Sequence, residues 1–282
     1  MDAVDPAVGK YLTELTRRCA EILESDLVGV YAAGSLALDA YQSGRSDVDV
    51  AVVCADALDR PEKEAIIQAL RHESLACPAR GLELVVYRSE VAAAGDSDPG
   101  FEVELNTGPR MDFRATYAGE DRLVEDGVFW YAIDRSILAE RGRAISGRPA
   151  PKVFRSVSDS ALVELLIASL RWHLGLAAAE DTDDDPAAGA SWTDDAVLNA
   201  CRGWQRIRTG HWSSKVVAGE QSLADRPSSA AGGADADSVD IDMAVVTQAL
   251  AARGGAANPS VSQARGFQRQ VLAALEMIAA KE

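Results

Sequence analysis

The most informative part of the sequence is the stretch GSLALDAYQSGRSDVDVAVV, residues 34–53. It runs into an apolar segment, residues 48–54, which predicts a buried β-strand. Asp47 and Asp49 lie two positions apart at the start of this strand. Because residues i and i+2 of a strand project to the same face of a sheet, the two carboxylates are expected side by side. Adjacent carboxylates repel each other unless a cation lies between them, so the pair predicts a metal site.

The Gly34-Ser35 pair supplies the second half of this pattern. It follows another apolar run, residues 27–33, which predicts a strand that ends at the glycine. A small turn after a strand lets backbone N–H groups approach a phosphate, and Mg²⁺ is commonly bound by one or two carboxylates together with substrate phosphates. Asp-x-Asp alone is common at solvated strand ends, and Gly-Ser is often a plain turn. The prediction of a metal and phosphate site therefore depends on both features occurring together.

Glu83 is a third acid of interest, because it interrupts the apolar strand predicted over residues 82–87. Burying a charge without a partner is costly, so a carboxylate at this position needs an explanation. If this strand lies beside the one that carries Asp47 and Asp49, the three acids can share one face. Glu83 would then be a third metal ligand or the general base that deprotonates an attacking hydroxyl. The alternative is an edge-strand residue that faces water.

Apolar periodicity predicts helices on both sides of these strands, and the alternation favours an α/β sheet domain over residues 1–150. The helices predicted in this part cover residues 8–25, 36–41, 61–76 and 127–141. A Gly- and Pro-containing linker at 147–151 leads to a helical domain over residues 151–282. Its predicted helices cover residues 158–179, 193–210 with Thr193 as the cap, 240–253 and 260–280. The acidic residues 180–185 predict a loop, and residues 226–238 predict disorder.

Composition narrows the possible functions. The 282 residues include 44 Asp and Glu against 28 Lys and Arg, a net charge of -16, which argues against a protein that binds nucleic acid through its phosphates. The chain has no apolar stretch of membrane-spanning length and its first residues do not resemble a secretory signal. Four scattered cysteines favour reduced thiols over disulfides or a zinc site. These features predict a cytoplasmic protein without a nucleic-acid or membrane partner. A monomer is expected, although no feature of the sequence reports on the oligomeric state.

The Gly-Ser and Asp-x-Asp pattern resembles the nucleotidyltransferase superfamily of the polymerase-beta type. The longer likeness is to the aminoglycoside adenylyltransferases of the streptomycin/spectinomycin (3'')(9) group. It is carried by residues 34–53, by AIDRSILAERGRAISGRP at 132–149 and by DDAVLNACRGWQRIRTGHWSSKVVAGE at 194–220. The resemblance implies a two-domain α+β/α fold, in which an N-terminal nucleotidyltransferase sheet domain with flanking helices precedes a C-terminal α-helical bundle.

The resemblance also implies a reaction: AMP moves from ATP to a hydroxyl of the antibiotic, pyrophosphate leaves, and the host becomes resistant. Asp47 and Asp49 would hold Mg²⁺ with the ATP phosphates, and Glu83 would be the catalytic base. The residues implied to bind the nucleotide are Gly34, Ser35, Ser46, Arg202 and Lys215. The last two belong to the second domain, and a solvated helix face is an equal alternative for Arg202.

The acceptor implied by the resemblance is a small cationic antibiotic, and acidic residues are expected to attract it. The acids considered for this role are Glu83, Glu102, Glu104, Asp112, Asp194 and Asp195. Capping of a helix is the alternative for Asp194 and Asp195. Members of this group that accept streptomycin tend to carry a tryptophan near residues 106–111, and this chain has none there, so the resemblance implies spectinomycin in preference to streptomycin. Two other functions stay open: a nucleotidyltransferase with another acceptor, such as a protein hydroxyl or a small alcohol, and a catalytically silent nucleotide-binding module.

Overall fold

The computed structural model describes residues 5–123, 126–179, 192–225 and 241–281. The chain separates into two compact units, Met1–Ser158 and Asp159–Glu282. The segments predicted as an acidic loop, 180–185, and as disordered, 226–238, lie outside the described residues. Among the described residues, no helix combines the length and the apolar character needed to cross a membrane.

The first unit is built on a six-stranded sheet with the order β5-β4-β3-β2-β1-β6. The strands are β1 Leu27–Ala32, β2 Val48–Cys54, β3 Leu82–Arg88, β4 Phe101–Gly108, β5 Met111–Thr116 and β6 Arg143–Gly147. β2 and β3 pair in parallel, whereas the other described pairs are antiparallel. The strand–helix alternation predicted from the sequence is present from β1 to β3, but the whole sheet is mixed and belongs to the α+β class that the resemblance implies. The strand predictions at 27–33, 48–54 and 82–87 match β1, β2 and β3 within one residue.

Helices cover both faces of this sheet. They are α1 Pro6–Leu23, α2 Gly34–Ala37, α3 Arg60–Leu70, α4 Ser89–Ala94 and α5 Phe129–Arg141. One face packs its alternate apolar side chains against α1 and α3, and the other packs against α5 and a 3-10 turn at Ala150–Lys152. The predicted helices at 36–41 and 61–76 are wrong in extent, because α2 begins at the glycine itself and α3 ends at Leu70. The sequence predicts a linker over residues 147–151, but Ala150 belongs to the core on this face of the sheet, together with Val153 and Phe154.

The second unit is helical where the structure describes it. Its helices are α6 Asp159–Ala179, α7 Thr193–Thr209, α8 Lys215–Ala224, α9 Met243–Arg253 and α10 Val261–Ala279. The predicted capping role of Thr193 is wrong: Thr193 is the first helical residue, and its buried Oγ1 donates to the carbonyl of Pro259 at 2.7 Å. Gly210 ends α7 in the left-handed conformation, as the sequence predicts.

Candidate active site

The parallel pairing of β2 and β3 places Asp49 directly beside Glu83. Both side chains project from the face of the sheet that packs against α5, because their neighbours Val48, Val50 and Leu82 belong to the core on the opposite face. Two carboxylates that start neighbouring strands therefore lie on one surface of the first unit.

The same row continues across the sheet to residues that the sequence analysis missed. Glu83 pairs with Asn106 of β4, and Asn106 pairs with Arg114 of β5. The side-chain oxygen of Asn106 accepts a hydrogen bond from Arg114 Nη2 at 3.3 Å. Since β4 and β5 were not predicted, neither residue could be placed near Glu83 from sequence periodicity alone.

Asp47 lies just before β2, and its carboxylate is paired with Arg80. Arg80 Nε donates to Asp47 Oδ1 and Arg80 Nη2 donates to Asp47 Oδ2, each at 2.7 Å. Arg80 is not among the site residues predicted from the sequence. Its position just before Gly81 and β3 could have indicated a place near Asp47, which comes just before the neighbouring strand β2.

The electrostatic surroundings of Glu83 favour its neutral form. Desolvation by the surrounding protein raises the pKa of the Glu83 carboxyl, and the charges of Asp49 and Asp47 raise this pKa further. Asp134 of α5 adds to the same effect, whereas Arg80 opposes it. The Glu83 side chain nevertheless remains accessible to solvent. A ligand can therefore reach a carboxyl group that takes up protons more readily than an ordinary glutamate.

The Gly34-Ser35 turn closes tightly over Asp49. A Cβ atom added at Gly34 would lie 2.0 Å from Asp49 Oδ2, and Gly34 has a φ of 49°, which favours glycine. The Ser35 hydroxyl is buried and has no hydrogen-bond partner among the described residues. Ser46 serves the loop instead, because its Oγ accepts from the backbone N–H of Gln42 at 3.0 Å.

These features fit a divalent cation held by carboxylates and phosphates, but not a three-acid cage. In the part of the chain that the structure describes, no group of three or more His, Cys, Asp and Glu side chains is arranged to hold a metal. Asp49 and Glu83 bring negative charge together, and Mg²⁺ commonly takes its remaining ligands from phosphates and water. Gly34 packs against Asp49 and is followed by Ser35, whose hydroxyl has no hydrogen-bond partner among the described residues; a turn of this kind lets backbone N–H groups approach a phosphate.

Two of the acids considered for the antibiotic are neutralised inside the first unit. Buried Glu102 pairs with Lys63 Nζ at 2.9 Å and with Arg88 Nε at 3.0 Å. Buried Glu104 pairs with Arg122 Nη1 at 2.5 Å and accepts from Thr116 Oγ1 at 3.2 Å. Asp112, in contrast, is exposed on β5. Glu102 and Glu104 thus stabilise the sheet and its flanking segments.

Asp194 and Asp195 belong to an ion-pair cluster in the second unit. Asp194 is fully buried and pairs with Arg253 Nε at 3.1 Å. Asp195 Oδ1 accepts from Lys215 Nζ at 2.8 Å and also from Arg253 Nη2. Burial lowers the pKa of the Lys215 ammonium, and the charge of Asp195 partly offsets this. Arg202 lies with its Cζ 5.9 Å from the ring centroid of Trp212.

Arg253→Gln is expected to lower the free energy of unfolding by about 3 kcal/mol, because it removes a charged partner of the buried Asp194 carboxylate. Denaturant unfolding followed by circular dichroism measures this loss. Arg171→Gln is the matched control, since Arg171 pairs with Glu276 at the exposed surface and its loss should cost less than about 1 kcal/mol. Equal losses in the two variants would contradict a stabilising role for the buried pair.

Comparison with known proteins gives a structural likeness and no sequence match. No family model matches the chain, and no curated protein matches it. A solved structure of spectinomycin adenyltransferase AAD(9) from Enterococcus faecialis, with ATP and spectinomycin, matches with a TM-score of 0.62 at 15% sequence identity. The match covers 95% of this chain and 98% of that chain. The protein described here therefore shares its α+β fold with that structure.

Proposed function

We propose that this protein is an ATP-dependent adenylyltransferase that moves AMP onto a hydroxyl of an aminocyclitol or aminoglycoside antibiotic and so confers resistance. The observation that carries the proposal is that Asp49 and Glu83 are neighbours in the register of β2 and β3, with the Gly34-Ser35 turn packed against Asp49. The fold supports it, because the similar AAD(9) structure was solved with ATP and spectinomycin.

In the proposed reaction, Glu83 accepts the proton of the acceptor hydroxyl. The hydroxyl oxygen then bonds to the α-phosphorus of ATP, the bond from that phosphorus to the β-phosphate oxygen breaks, and pyrophosphate leaves. The raised pKa of Glu83 suits this role, since a general base works best when its pKa is near the operating pH. A bound Mg²⁺ would neutralise charge that develops on the phosphoryl oxygens.

The nucleotide-binding assignments belong to the same proposal. The Ser35 hydroxyl and the N–H groups of Gly34 and Ser35 would bind phosphate oxygens, with Ser46 shaping the adjoining loop. Asp49 and Asp47 would hold the cation. Arg202 and Lys215 are retained as proposed phosphate-binding residues, which suit this role by charge.

Spectinomycin is the proposed acceptor in preference to streptomycin. Glu102, Glu104, Asp194 and Asp195 are engaged by arginine or lysine side chains of their own unit. Less negative charge is then available for a strongly cationic drug. Streptomycin carries guanidinium groups, whereas the positive charges of spectinomycin are amines.

Pyrophosphate release from Mg-ATP tests the proposal, measured with spectinomycin, with streptomycin and without a drug. We expect release that depends on spectinomycin and gives an adenylylated drug detectable by mass spectrometry. Release at the same rate without a drug would point to another acceptor. ATP binding without any release would favour a catalytically silent nucleotide-binding module.

A further inference from the structure

Arg80 is in direct contact with Asp47, one of the candidate metal ligands, and the reaction proposed above gives it no role. Its guanidinium contacts both carboxylate oxygens of Asp47 in a bidentate pair. Such fork-to-fork pairs are stronger and more directional than single contacts. A divalent cation that uses Asp47 must therefore compete with Arg80 for the same oxygens.

The backbone of Arg80 is held in place from both sides. Its N–H donates to the carbonyl of Ser46 at 3.4 Å, and its carbonyl accepts from the N–H of Arg110 at 3.1 Å. The packing is close here, because a Cβ added at Gly108 would lie 2.3 Å from Gly81 Cα. The Arg80 side chain, in contrast, is 46% exposed. The side chain can therefore leave Asp47 while the main chain of the site stays in place.

A triphosphate offers the guanidinium a new partner of the same kind. Phosphate oxygens match the planar donor fork of arginine as well as a carboxylate does. Ser46, which bonds to the Arg80 backbone, lies on the loop that joins the Gly34-Ser35 turn to β2, so Arg80 belongs to the same end of the sheet as the proposed phosphate-binding groups.

We propose that Arg80 couples cation binding to nucleotide binding: it pairs with Asp47 until a nucleoside triphosphate arrives, then binds the phosphates and releases Asp47 to the cation. This inference rests on the proposed function, since it needs a nucleotide at the Gly34-Ser35 turn. Its consequence is that a divalent cation binds poorly alone and well together with ATP.

The test measures Arg80→Ala in two binding titrations that involve no turnover. In the first, Mn²⁺ is titrated into the full chain without nucleotide and followed by electron paramagnetic resonance. The variant should bind Mn²⁺ about fivefold more tightly than the wild type, because one partly exposed ion pair no longer competes. In the second, an ATP analogue with a methylene bridge between the α- and β-phosphorus is titrated with Mg²⁺. The variant should bind it about tenfold more weakly, because a charge-assisted contact is lost.

Arg110→Ala is the matched control, since it removes the same charge from the adjoining loop, where Arg110 Nη2 donates to the carbonyl of Gly44 at 2.7 Å. It should change neither titration. Mn²⁺ binding that is unchanged or weaker in Arg80→Ala would overturn the coupling, as would equal tightening in Arg110→Ala. A wild-type protein that fails to bind the analogue would refute the proposed function itself, and the coupling with it.

Discussion

Glu83→Gln is expected to reduce spectinomycin-dependent pyrophosphate release by about a hundredfold or more, which is the range that a positioned general base contributes. The substitution keeps the size of the side chain and removes its ability to accept a proton. It also removes one of the two carboxylates that lie side by side on β2 and β3. Initial rates at saturating Mg-ATP, compared with those of the wild type, measure the effect.

Glu64→Gln is the control for this substitution, because it makes the same chemical change at an exposed position of α3. Glu64 pairs there with Arg60. Its rate should equal that of the wild type. A Glu83→Gln rate within about twofold of the wild type would remove the base assignment, since a catalytic base contributes far more than that.

The melting temperature of Glu83→Gln, measured over a range of pH, shows whether a lower catalytic rate comes with a less stable fold. The pKa of Glu83 is raised in the folded chain, so the unfolded chain loses this proton at lower pH than the folded chain does. The carboxyl therefore destabilises the metal-free wild type increasingly as the pH rises from the unfolded pKa through the folded pKa. The variant lacks this group, so its melting temperature relative to the wild type should increase over the same pH range.

Gly34→Ala is expected to lower kcat/KM for the same reaction by about a hundredfold, the cost of displacing reacting groups by about 1 Å. The new methyl group would lie 2.0 Å from Asp49 Oδ2, so either the turn or the carboxylate must move. The residue also has a φ of 49°, a conformation that costs a non-glycine residue about 1 kcal/mol or more. Steady-state kinetics and thermal melting together report the two effects.

Gly9→Ala provides the comparison for Gly34→Ala. A Cβ at Gly9 meets no atom within 4 Å, and the residue lies within α1, where alanine favours the helix. This variant should be as active as the wild type and slightly more stable. If Gly34→Ala behaved in the same way, the close approach of the turn to Asp49 would have no functional importance.

The strands of the candidate site were predicted well, because the apolar pattern that indicates each strand lies within the strand's own residues. The apolar run 48–54 coincides with β2, and the run 82–87 falls within β3. Short apolar runs that are bounded by turn residues and rich in valine are typical of buried strands. The positions of Asp49 and Glu83 on a common face follow from alternation once the two strands are neighbours.

The rest of the sheet could not be predicted from local pattern. β4 alternates apolar residues with Glu102 and Glu104, whose burial is stabilised by arginines and a lysine distant in sequence. β6 is short and contains glycine at its end, so it resembles a linker. Arg80 escaped notice for a similar reason: the direction of a loop side chain depends on tertiary contacts. Asp194 was predicted at the start of a helix, but its pairing with Arg253 depends on the packing of α7 with α9.

The single parallel pair in the sheet has a consequence for how the gene could be engineered. The chain between β2 and β3 carries α3, which packs on the face opposite the two carboxylates. New termini or an inserted tag placed between β2 and α3 would lie away from the two carboxylates, whereas the last part of the connection carries Arg80 and belongs to the candidate site. A split or circularly permuted version opened between the exposed residues Asp56 and Ala57, before the Asp59 cap of α3, is therefore expected to reassemble with its carboxylate pair intact.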